Sequence, residues 1–263
     1  MVMTPNKPAK SQTPVNSRAV HLSLQGKGGV GKSLVASWLA QYLSSRGDSP
    51  ICVDADPINH TFASIQALEA TVLPLARDVT IDVRAFDTLI ERLVSESGTF
   101  VIDSGAATFL PLWQYLLENQ VAQFLREQGR DLFIHMVIVG GAGLADTLNG
   151  LDQLCAASEE RNVMVWLNEY FGPVAADGKQ FSQMATAVRN RDKLSGSVLL
   201  PRRSPDTYGR DIQDMMSAHL TFEQAINDST FPLMSKQRLR MVQREVFAQL
   251  DQIPWEQGRA VNL

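Results

Sequence analysis

Gly26-Lys27-Gly28-Gly29-Val30-Gly31-Lys32-Ser33 satisfies the pattern G-x-x-x-x-G-K-[ST] in full. A strand-like run, Ala19-Val20-His21-Leu22-Ser23-Leu24, leads into it, and a helix-like run from Leu34 to Ser45 leads out. Strand, glycine-rich turn and helix form the setting in which the pattern has a physical meaning. Small residues let successive backbone N–H groups converge on a polyanion, and missing Cβ atoms permit the close approach. The helix N-terminus adds unpaired N–H groups and the positive end of the macrodipole. Gly26, Lys27, Gly28, Gly29, Val30 and Gly31 are expected to cradle a triphosphate. Lys32 is expected to reach its β- and γ-phosphates, and the Ser33 hydroxyl to ligate Mg²⁺.

Working outward, Pro50-Ile51-Cys52-Val53-Asp54-Ala55-Asp56-Pro57 reads as an apolar strand running into two aspartates and a proline. Thr99-Phe100-Val101-Ile102-Asp103-Ser104-Gly105-Ala106 reads as a buried strand ending in an acid. In a parallel sheet, ligand groups gather at the C-terminal strand ends, so these acids are aimed at the same edge as the glycine turn. Asp103 is expected to hold Mg²⁺ through a water. Gly105 and Ala106 are expected to let backbone N–H groups approach the terminal phosphate or the attacking water. Two further apolar runs, Asp131–Val139 and Val163–Asn168, and a last one, Ser197–Pro201, alternate with helix-period segments. Those segments include the stripe Phe86, Leu89, Ile90, Leu93 and Val94, and helices expected over 111–128, 177–193 and 222–250. The alternation predicts an α/β fold: a doubly wound, mostly parallel sheet with helices on both faces. A second glycine cluster, Gly140-Gly141-Ala142-Gly143, lacks a lysine and reads as a tight strand-to-helix turn.

With 263 residues, the chain suits one large domain. We place it at 19–252, between a Pro-, Lys-, Ser- and Thr-rich leader (1–18) and a tail (253–263) expected to fray. The net charge of −4 argues against a surface built to coat nucleic acid, though not against a local basic patch. Two cysteines, Cys52 and Cys155, form no C-x-x-C, so no metal or disulfide framework follows, which suits the reducing cytoplasm. No apolar run is long enough to span a bilayer, so stable membrane insertion is not expected. The last helix carries the stripe Leu239, Val242, Val246 and Leu250 among Lys236, Arg238, Arg240 and Arg244. Core packing is its expected role and a membrane surface the alternative.

Lys27 is a second lysine inside the turn. With it, K-G-G-V-G-K-S resembles the deviant Walker A ATPases, the class of ParA, MinD and the nitrogenase iron protein. The resemblance implies a slow, Mg²⁺-dependent ATPase that acts as a dimeric switch. Lys27 would reach across a nucleotide-sandwich homodimer to the partner's phosphates; the alternative is a solvated surface lysine. Asp54-Ala55-Asp56-Pro57 resembles the D-x-D-P segment of the class, which gives Asp56 the attacking water and Asp54 an assisting place near Mg²⁺. It also implies that Asn168 reads the base edge, the alternative being a turn former, and that the loop around Tyr208 lies over the base. The absence of an Asn-Lys-x-Asp favours ATP over GTP. Residues 166–173 and 207–211 resemble a family of conjugal-transfer proteins of broad-host-range plasmids, which implies a protein partner in a transfer apparatus. DNA partition and nucleotide-gated adaptor activity without hydrolysis are the rival functions.

Overall fold

The computed structural model describes residues 18–77, 80–157 and 162–255. The expected leader, apart from Arg18, lies outside them. Chain order begins with β1 (Val20–Ser23), α1 (Lys32–Ser45), β2 (Ile51–Ala55), β3 (Thr71–Val72) and α2 (Ala85–Ser95). It continues with β4 (Phe100–Ser104), α3 (Phe109–Glu118), α4 (Val121–Glu127), β5 (Leu132–Val139) and α5 (Leu144–Ala157). The last third holds β6 (Val163–Asn168), α6 (Ala185–Arg189), β7 (Leu194–Leu200), α7 (Arg210–Ser217), α8 (Phe222–Asn227) and α9 (Leu233–Leu250). The seven strands form one parallel sheet in the order β7-β6-β5-β1-β4-β2-β3.

Alternation along each strand explains the two layers of helices. Val20, Leu22, Phe100, Ile102, Ile134 and Met136 face a core closed by α2 to α6. Cys52, Val101, Val137, Met164 and Trp166, each next in sequence to a residue of the first core, face a second core closed by α1, α7, α8 and α9. Side chains one residue apart on a strand point to opposite faces, so strands buried on both sides must be apolar throughout. All eight residues of β5 are buried. The stripe Leu239, Val242, Val246 and Leu250 lies in the second core, which is the packing role expected for the last helix. No helix among the described residues is long and apolar enough to cross a membrane.

Several expected elements are broken where the backbone leaves helical geometry. The helix expected over 111–128 is two, separated at Gln120, whose φ of 49° is left-handed. The one expected over 222–250 stops at Asp228, in an extended conformation, and restarts after Pro232. The one expected over 177–193 is mostly absent. Asp177 and Gly178, both at positive φ, turn a hairpin of two-residue strands, and beyond it the α-helical part is α6 alone, flanked by 3-10 turns at Phe181–Gln183 and Arg191–Lys193. The tail expected to fray from 253 is packed at its start. Ile253 is buried, and the Trp255 ring meets His21 and Phe133 edge-on at 5.2 and 5.7 Å. Apolar burial outweighs the turn at Pro254; residues 256–263 lie outside the described part of the chain.

Candidate nucleotide site

The C-terminal strand edge is built by register. Ser23, Asp103 and Asp54 are Cα partners across β1, β4 and β2. Between β1 and α1 the glycine turn is held by two left-handed residues, Gly29 (φ 72°) and Gly31 (φ 103°), a conformation that costs glycine nothing. Gly31 caps α1 without a side-chain hydrogen bond, which leaves the first-turn N–H groups to an incoming anion. The second glycine cluster has a different cause. A Cβ on Gly140 would sit 2.0 Å from the carbonyl oxygen of Gly172, so the cluster lets two loops meet backbone to backbone.

Lys32 is buried, and its ammonium donates to the Lys27 carbonyl at 3.1 Å. Burial pushes its pKa down, and the nearby Asp103 and Asp56 carboxylates partly restore it. The Ser33 hydroxyl lies close enough to the Asp103 carboxylate to favour its charged form. Burial pushes Asp103 up to about 7 against that hydroxyl and the Lys32 charge. Asp103 Oδ1 has no hydrogen-bond partner among the described residues. An orphaned carboxylate oxygen beside a serine hydroxyl fits Mg²⁺, which is commonly held by one or two protein oxygens with phosphate and water completing the shell. It does not fit a protein-only cage. Among the described residues no group of three His, Cys, Asp or Glu could hold a metal.

The two aspartates of the D-x-D-P segment separate. Asp56 Oδ1 accepts from the backbone N–H groups of Ile58 (2.9 Å) and Asn59 (3.1 Å). The Asp56 carboxylate faces Gly105, where an added Cβ would come within 2.6 Å of it. Asp54, expected to assist near the metal, is fully buried with both oxygens engaged. Oδ1 accepts from Asp56 N–H at 3.0 Å and Oδ2 from Ala63 N–H at 2.9 Å. These two bonds tie Asp54 to the loop that carries Asp56.

The Lys27 ammonium lies 2.6 Å from Asp146 Oδ2, in the first turn of α5, with its side chain 44% exposed. Asn168, expected to read a base or else to form a turn, caps the turn that follows its strand: its Oδ1 accepts from Tyr170 N–H at 3.1 Å, and its Nδ2 donates to the Val30 carbonyl at 3.0 Å. Tyr208 lies on the wall of a cavity of about 270 Å³ that opens beside Gly29–Gly31. Arg203 stacks over its ring at 4.6 Å. Asp146, the first acid after the second glycine cluster, has no signal in the sequence beyond that place.

A parallel sheet with this turn, a helix N-terminus open to an anion and acids on neighbouring strand ends defines a P-loop nucleotide-binding protein. The chain belongs to the CobQ/CobB/MinD/ParA nucleotide binding domain family, which matches residues 23–227. It is similar to two Escherichia coli proteins, each called Protein TraL, at 43% and 41% identity over 233 residues. Each match covers 88% of this chain and 97% of the relative. Among solved structures it is similar to the MinD cell division protein of Aquifex aeolicus, with a TM-score of 0.51 and 16% identity, over 91% of this chain and all (100%) of that one. It is also similar to a ParA family ATPase from Chlorobium tepidum TLS, with a TM-score of 0.50 and 16% identity, over 86% and 98% of the two chains. At that identity the two structures speak to the fold alone.

Proposed function

We propose that this chain is a Mg²⁺-dependent ATPase that dimerises across its bound nucleotide and acts as a switch in plasmid conjugal transfer, in the bacterial cytoplasm. The observation that carries the reading is the grouping of Lys32, Ser33, Asp103 and Asp56 around the N-terminus of α1. The amides of the turn and the Lys32 ammonium bind the phosphates and stabilise charge on the transferring phosphoryl group. Ser33 and Asp103 would hold Mg²⁺, which would supply positive charge to the phosphates. Asp56, fixed by two backbone N–H groups, orients water for in-line attack. Lys27 has an exposed side chain and is free to exchange Asp146 for a partner's phosphate. The similarity to the TraL proteins supports the conjugative setting, with a protein of the transfer apparatus as partner.

Calorimetry with Mg²⁺–ATP and phosphate release from wild type and Asp56→Ala test this reading. Expected are binding by both proteins and turnover by wild type alone. No heat of binding with folded wild type overturns it, and tight binding without turnover in wild type replaces the enzyme with a nucleotide-gated adaptor.

A further inference from the structure

The loop that leaves β2 carries Asp56 at its start and runs to Ile65. Phe62 and Ile65 are buried, while Ile58, Asn59 and His60 are exposed. A hydrogen bond to a distant element leaves this loop from Ser64. Its Oγ lies 2.7 Å from the Thr61 carbonyl oxygen and 2.7 Å from Nδ1 of His219, 155 residues further along the chain. A carbonyl can only accept, so the hydroxyl proton goes to Thr61, and His219 Nδ1–H donates to Ser64 Oγ.

His219 stands where a side chain is disfavoured. Its N–H bonds the Met216 carbonyl, and the N–H of Leu220 bonds that of Met215, the pair of bonds that closes a helix with a left-handed residue. His219 is that residue, with φ 56°. Glycine usually fills the position, because a Cβ is crowded there. The histidine accepts that strain, and its ring is the part that reaches another element. Strain of this kind gathers at functional sites. The ring is also presented from a fixed post: Met215 of α7 is fully buried, and Asp211 at the start of α7 pairs with Arg238 of α9.

We propose that His219 is a positioning residue for hydrolysis: by holding Ser64 it fixes the far end of the loop and, through Asp54, the Asp56 carboxylate that orients the water. The inference rests on the role proposed for Asp56. The path between them is short. His219 holds Ser64; the N–H of the preceding residue, Ala63, is held by Asp54 Oδ2; and Asp54 Oδ1 holds the N–H of Asp56. Phe62 and Ile65 set how deep the loop sits, but apolar contacts are non-directional. Hydrogen bonds, which need defined angles, fix its rotation.

The test is phosphate release, calorimetry with Mg²⁺–ATP and amide hydrogen exchange on wild type, His219→Gly and Ser64→Ala. His219→Gly removes the ring and relieves the left-handed backbone, so its two effects on stability oppose each other. Expected are a melting temperature near that of wild type and an unchanged ATP affinity. With them, kcat should fall about two- to tenfold, the worth of one hydrogen bond, and exchange over residues 57–65 should quicken by a similar factor. Ser64→Ala should match His219→Gly in kcat, and the double variant should lose no more than either single one. A contact that only stabilises the fold would move melting and leave kcat alone. Wild-type kcat in both variants, or exchange over 57–65 equal to that of wild type, overturns the proposal. Wild type that binds ATP but releases no phosphate overturns the reading of Asp56 instead, and the inference falls with it even where exchange shows His219 holding the loop.

Discussion

The Lys27 ammonium and the Asp146 carboxylate lie 2.6 Å apart, with 44% and 58% of the two side chains exposed. The pair joins the glycine turn to the start of α5, across 119 residues of sequence. An ion pair this exposed stabilises by at most about 1 kcal/mol. It is strong enough to set where Lys27 rests and weak enough to be displaced by a phosphate. Asp146→Asn should therefore shift ATP-dependent dimerisation to protein concentrations up to about fivefold lower, without creating a dimer in the absence of nucleotide. Sedimentation velocity with and without Mg²⁺–ATP measures this. Lys27→Ala should abolish the ATP-dependent dimer. An Asp146→Asn midpoint equal to that of wild type would mean the pair opposes nothing.

Asp56 and Gly105 give a second prediction. A methyl group on Gly105 would lie 2.6 Å from the Asp56 carboxylate, well inside contact distance. Asp56 is held by the N–H groups of Ile58 and Asn59, so relief requires it to swing away from them. Misplacing a water-orienting group by about 1 Å costs on the order of 100-fold in rate. Gly105→Ala should thus lose at least about 30-fold in phosphate release, with nucleotide affinity within a few-fold of wild type because the glycine turn is untouched. An equal loss in affinity and rate would place the disturbance in the phosphate cradle instead.

How far the site could be read from sequence depended on whether its cause was local. The glycine turn was legible because Gly29 and Gly31 serve a conformation set within eight residues. The place of Asp103 at a strand end was legible because the apolar run that it closes follows a glycine turn; alone, such a run is a weak signal. The bond from Ala63 N–H to Asp54 is not legible, because a loop with no periodicity separates the two. The turn-forming side of Asn168 is legible, and its bond to the Val30 carbonyl, 138 residues away, is not. The second glycine cluster was correctly taken as a turn, but its reason, a carbonyl from the loop after β6, is a tertiary fact. That reason is testable. Gly140→Ala must displace the Gly172 carbonyl, and crowding of this kind typically costs about 1–3 kcal/mol. A melting temperature lower by roughly 3–10 °C in a scanning calorimeter is expected, with an unchanged value showing that the two loops separate freely.

His21 and His135 form a buried pair whose protons are fixed by Trp166. The Trp166 indole N–H donates to His135 Nδ1 at 3.0 Å, so His135 carries its proton on Nε2 and donates it to His21 Nδ1, also at 3.0 Å. Both rings are neutral. Burial lowers the pKa of His21 to about 3, and burial with the neighbouring ring lowers His135 well below its usual value. In the unfolded chain each histidine titrates near 6.5. Between those limits the unfolded state binds more protons, so stability is full above pH 6.5 and is lost as pH falls toward 3. The limiting slope is about 1.4 kcal/mol per pH unit for each histidine. Asp103 opposes one of the two, because its raised pKa lets the folded state hold a proton that the unfolded state has released. Comparing wild type with His21→Asn at each pH cancels the Asp103 contribution. Urea midpoints followed by tryptophan fluorescence should fall faster for wild type than for the variant between pH 6.5 and 5. Trp255, packed edge-on against His21, should report the same transition. Curves that run parallel in the two proteins would show that His21 is already protonated in the fold, against the hydrogen-bond chain that begins at Trp166.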